Sequence, residues 1–161
     1  MFKKIMLVLL LVLVIIQFIH PKKNKAEGVQ PNYIGSSFAI PADVKTILGK
    51  ACNDCHSNNT AYPWYSKIQP VDWWMNNHIV DGKKGINFDE YTNKSLRYQY
   101  HKMEEVIEMI EDGKMPLNSY TWIHKDAILT AGEKAKLIGW ANSIMDTMKA
   151  KYPVDSLIRK K

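Results

Sequence analysis

The chain has 161 residues, 46% of them apolar, which is one domain with some sequence to spare. Its formal net charge of +6 suggests an anionic partner, but residues 41–150 hold 13 Lys and Arg against 14 Asp and Glu. The excess sits in the flanks, so the basic face and motif expected of a nucleic-acid binder are missing and that class is excluded.

The first twenty residues, MFKKIMLVLLLVLVIIQFIH, place two lysines before an apolar run from Ile5 to Ile16 that resumes at Phe18 and Ile19. This has the form of a secretory signal, but the HPKKNKAEG that follows lacks the small-residue pattern of a cleavage site. Residues 1–20 are therefore expected to be a retained signal-anchor crossing the membrane, with a signal cleaved near Ala26 as the alternative. Residues 21–40, rich in Pro, Gly, Ser and Lys without apolar periodicity, read as a flexible tether.

Residues 41–150 read as an all-α domain. Pro41 suits a first helical turn, and Val44, Ile47, Leu48 and Ala51 recur on one face. The stretch SNNTAYPWYSKIQ is polar and broken by Pro63, a loop. Pro70 opens a second helix ending at Gly82 and Gly85, with INFDEY as connector. A third runs from about Ser95 to Asp112 and stops at Gly113. KMPLNSYTWIHKDAIL is expected to be an irregular loop. Thr130 and Glu133 form a capping box that opens the last helix, with Leu137, Ile138, Ala141, Ile144, Met145 and Met148 inward. Residues 151–161 read as a basic tail.

The two cysteines lie in ACNDCHSNN, as Cys52 and Cys55, with His56 directly behind. A C-x-x-C pair serves a redox disulfide, half a zinc site or a covalent haem attachment. The disulfide use goes with strands and crossover helices, which are absent. Zinc needs two more ligands, and no second Cys pair or H-x3–5-H is present. Haem attachment uses all three residues: two thiols one helical turn apart meet the porphyrin vinyl groups, and the next imidazole meets iron. Attachment outside the cytoplasm would place the domain in the periplasm and the N-terminus inside.

The group opposite His56 decides what such a haem does. Met75, Met103, Met109, Met145 and Met148 fall within helices and read as core. Met115 lies past a helix stop and before Pro116, on a loop that can reach an iron, and is the expected sixth ligand; His78 is the runner-up. His124 could bond a haem propionate, and His101 reads as solvated. Trp64, Tyr65, Trp74 and Tyr120 are candidate walls of the cofactor site.

The helix into CNDCH, the inner helix, the KMP loop and the last helix with Trp140 are similar to class I cytochromes c. More closely, CNDCHSNNTAYPWYSKIQPVDWW, His78, INFDEY and GKMPLNSYTWIHKDAILTAGEKAKLIGWA resemble the haem-binding domain family of small bacterial envelope proteins. The resemblance implies one covalent haem c with His56 as proximal ligand and Met115 in the distal position, and it puts His78 and His124 on recurring motif positions. The expected function is single-electron transfer between envelope redox partners by a membrane-anchored cytochrome. The alternative is a haem sensor whose sixth position is open or displaceable. No nucleophile–base pair or acid–base dyad stands out, so no enzyme activity is expected. Oligomeric state is not legible.

Overall fold

In a computed structural model, residues 1–158 are described; the basic triplet Arg159 to Lys161 at the end of the expected tail lies outside them. The described residues are helical, with two isolated bridges, Lys25 to Asn59 and Asn32 to Glu90, and no named strand. The α-helices are α1 Phe2–Ile16, α2 Ala42–Ala51, α3 Asn53–His56, α4 Val71–Gly85, α5 Leu96–Glu111, α6 Asn118–Thr121, α7 Ala131–Lys151 and α8 Val154–Leu157.

The core forms where apolar stripes of α2, α5 and α7 meet. Ile47 and Leu48, Met103 and Ile110, and Leu137, Ile144 and Met148 are each 5% exposed or less. Local chemistry sets the helix ends. The Ser95 hydroxyl accepts the Tyr98 N–H at the start of α5, and Gly113 takes the left-handed conformation just past its end (φ 66°). Thr130 and Glu133 make the expected capping box at α7. The helix approaching the motif does not run through it. It breaks at Cys52 (φ −131°), and the short α3 restarts at Asn53.

Three expectations are corrected. Residues 21–40 are not a free tether: they are stitched to the domain. Asn24 Nδ2 donates to the Ser57 carbonyl (2.9 Å), Ile34 is fully buried with its N–H on the Phe88 carbonyl (2.8 Å), and Trp140 Nε1 donates to the Ala39 carbonyl (3.2 Å). The polar side chains of Lys23 and Asn24 suit a linker, yet both donate to carbonyls of the domain, those of Ser66 and Ser57. The tail is likewise structural up to Leu157, which α8 inserts into the core at 1% exposure. The KMP stretch is not wholly irregular, because it holds α6 and a single 3-10 turn at Lys125–Ala127.

The N-terminal apolar run forms α1, 15 residues and about 22 Å long, against a hydrocarbon layer of about 30 Å. No helix among the described residues is long and apolar enough to cross a membrane, so the expected membrane-crossing anchor over 1–20 is not supported. None of its residues is buried against the protein. Its exit is clamped to α4. Gln17 exchanges hydrogen bonds with the Gln69 backbone (3.2 and 2.9 Å), and the Ile19 carbonyl accepts from Gln69 Nε2 and Trp73 Nε1.

Candidate functional site

The motif lies where α2, α3 and α4 converge. Gly82 is what lets α4 come so close: a Cβ there would lie 2.8 Å from the Cys55 carbonyl oxygen and 3.0 Å from the Cys55 Cβ. Asp54, between the two cysteines, fixes the turn that follows. Its carboxylate accepts the Ala61 N–H (2.8 Å) and the Tyr120 hydroxyl (2.7 Å), and its carbonyl accepts the Thr60 hydroxyl (2.6 Å).

His56 Nδ1 donates to the Ile86 carbonyl at 3.0 Å. That bond fixes the tautomer: Nε2 carries the free lone pair, which is the arrangement an iron-ligating imidazole needs. Burial pushes the His56 pKa down, against the opposing pull of the Ile86 carbonyl, so the ring is held neutral. Phe88 packs beside it (centroids 6.2 Å apart) and Trp140 packs edge-on to Phe88 (6.3 Å), carrying the ring's support back to α7.

Cys52 and Cys55 are free thiols. Burial, then the neighbouring Cys55, pushes Cys52 up to about 12; burial, then Asp54, pushes Cys55 up to about 11. A disulfide-exchange pair works through a lowered thiol pKa, so this environment opposes that use. Among the described residues no group of three or more His, Cys, Asp and Glu is arranged to hold a metal ion.

Two cavities flank the motif and share Cys52, His56, Gly85 and Met115. One, of about 330 Å³, is also lined by Cys55, His78, Leu117 and Tyr120. The other, of about 200 Å³, is lined by Phe88, Val106, Met109, Ile110 and Leu137. Together they are of the size of a cofactor site and mostly apolar, with Asp54, Asn77, His78, Asp81 and Tyr120 as polar groups in the first and Lys102 and Glu105 in the second. A third, about 50 Å³, continues from Cys55 past Tyr65, Trp74, Met75, His78, Ile123 and His124.

The expected site residues are therefore placed as follows. Met115 borders both larger cavities together with His56. His78 faces the first, its Nδ1 donating to the Trp74 carbonyl (2.8 Å) so that its Nε2 is also free. Tyr120, Tyr65 and Trp74 line the cavities, whereas Trp64 stands outside them at 74% exposure, edge-on to Tyr65. His124 stacks on Tyr120 (centroids 4.2 Å) and is hydrogen-bonded through Nε2 to the Tyr65 hydroxyl (2.8 Å). His101 is exposed and paired with Glu104 and Glu105.

Sequence reasoning missed four contributors. Met75 and Met109, read as plain core, line cavities at the site. Gly82 reads from the sequence as a helix stop, though α4 continues through it, and Asp54 reads only as the spacer between the thiols. The hint for Asp54 was its place inside the motif; nothing local distinguished the other three.

The residues present fit a haem: paired thiols, a neutral imidazole with its outer nitrogen free, and apolar space on both sides. A family model described as haem-binding domain matches residues 11–143. No curated protein and no solved structure matches the chain. With the match covering most of its length, the chain belongs to the haem-binding domain family.

Proposed function

We propose that the protein is a c-type cytochrome that carries single electrons at the outer face of the cytoplasmic membrane, in the periplasm. The observation that carries this reading is the convergence of Cys52, Cys55, His56 and Met115 on one cavity. Each thiol S–H would add across one vinyl C=C of the porphyrin, forming a C–S and a C–H bond with no net redox change. The haem then supplies a one-electron couple. His56, oriented by the Ile86 carbonyl, would hold the iron through Nε2, with Met115 as the other candidate ligand from this chain. A Met/His pair raises the potential relative to a bis-His haem. Tyr120 and Tyr65, tied to Asp54 and His124, would close the polar edge. The protein is read as a carrier serving redox partners of the envelope. The exposed apolar α1 would hold it at the membrane. Although shorter than the bilayer, it can enter it with flanking lysines reaching the headgroups.

The test is the visible spectrum of the exported protein with a pyridine haemochrome assay. A c-type haemochrome and a six-coordinate low-spin spectrum with a methionine–iron charge-transfer band are expected. Met115→Ala should abolish that band. Survival of the band would reject Met115, and a bis-His spectrum abolished by His78→Ala would assign the runner-up. A high-spin spectrum that shifts with carbon monoxide would favour the sensor instead.

A further inference from the structure

Away from the motif, a cleft of about 580 Å³ is formed by residues 22–26, the second half of α4 and the segment 87–98. Six lysines line it: Lys22, Lys23, Lys25, Lys83, Lys84 and Lys94. Two of them are neutralised nearby, Lys23 by Asp72 (2.7 Å) and Lys84 by Asp81 (3.0 Å). Among the described residues the other four make no ion pair with a carboxylate. Lys83 donates to the Asn24 side-chain carbonyl (2.6 Å) and Lys25 lies 5.9 Å from the Tyr62 ring centroid. Lys22 and Lys94 make no side-chain hydrogen bond or ion pair among the described residues.

The one carboxylate on the wall, Glu90, is occupied by amides: its Oε2 accepts from Asn32 (3.2 Å) and Asn93 (2.6 Å). Asn24, Asn76 and Asn87 add neutral polar groups. Like charges converging on one concave surface repel one another and raise the local concentration of anions. The wall thus suits a group with a diffuse negative charge and several acceptor oxygens, a phosphodiester.

The position says where that group comes from. Lys22, Lys23 and Lys25 follow the end of α1 at Ile16 by only a few residues, and the α1 exit is clamped to the α4 that forms the cleft floor. We infer that the cleft takes the phosphodiester headgroup of an anionic phospholipid, so that the domain rests on the membrane in a fixed orientation. This rests on the reading that α1 enters the membrane, and the two can fail separately.

The full-chain, haem-loaded protein is floated with phosphatidylcholine vesicles and with vesicles that also contain phosphatidylglycerol. Binding to phosphatidylcholine reports α1; the gain on adding phosphatidylglycerol reports the cleft. In Lys22→Gln/Lys94→Gln that gain should fall by about fivefold per lysine removed, with binding to phosphatidylcholine unchanged. The remote pair Lys45→Gln/Lys134→Gln changes net charge equally and should keep the gain. A gain that survives in the cleft variant overturns the assignment and leaves the cleft to an acidic protein. Equal loss in both variants overturns it in favour of bulk charge. Loss of the gain on adding inorganic phosphate at constant ionic strength overturns it in favour of free phosphate.

Discussion

Gly82 shows how much of this site depends on one missing atom. α4 carries His78 towards the cavity only because it crosses α3 at a distance that no side chain would allow. Gly82→Ala forces backbone apart at Cys55, where no flexible side chain can give way. The expected outcome is a loss of about 1–3 kcal/mol, as for overpacked cores, read by denaturant unfolding of the haem-loaded protein. A lowered yield of haem-loaded protein should accompany it. The C-N-D-C-H run points to the proposed haem attachment from spacing alone, because thiol separation along the chain is itself the requirement. Gly82 carries no such signature: a glycine late in a helix reads as a stop until the neighbouring helix is placed beside it.

Among the elements, α7 is the one whose start was fully legible, and it does more than cap itself. Glu133 closes the box with Thr130 and also pairs with Lys50 of α2 (2.6 Å), joining two core helices. The Lys50 ammonium, then the Thr130 N–H, lowers the Glu133 pKa from 4.5 to about 2. Because the folded value is the depressed one, this contribution is complete above the ordinary value and is lost as pH falls from about 4.5 towards about 2. Glu133→Gln should flatten that part of the acid-stability curve relative to wild type, measured by unfolding across the acid range. α8 makes the opposite point. Its sequence is short, polar and next to a basic end, yet Leu157 closes the core between α5 and α7. Leu157→Ala should cost about 2–4 kcal/mol of unfolding free energy. No periodicity within four residues can reveal an element that exists only by docking.

For the molecule as a whole, the joint between α1 and the domain is the feature most altered by the structure. Asp72 is 1% exposed in its side chain and accepts from Lys23 (2.7 Å) and His20 (2.8 Å). Burial alone would raise its pKa; the bonds from Lys23 and His20 outweigh burial and hold it below the ordinary carboxylate range. Asp72→Asn should destabilise this joint by about 2 kcal/mol, read as faster amide exchange and proteolysis over residues 17–26 with the haem spectrum retained. A spectrum lost together with the joint would instead mean that the joint and the haem pocket fold as one unit. The joint matters for function because it sets how the haem domain stands relative to α1.

By itself, the sequence determined the helical class, the haem-binding family, the cap at Thr130 and the apolar stripes of α2, α5 and α7. These follow from separations of a few residues, where covalent geometry fixes what meets what. Only the tertiary structure decided that residues 21–40 are bound, that Met115 and His78 face one cavity, that Gly82 admits α4 to the motif and that scattered lysines form one cleft. Each of those joins positions far apart in the chain, and such meetings are set by the packing of helices against one another, which local pattern does not encode.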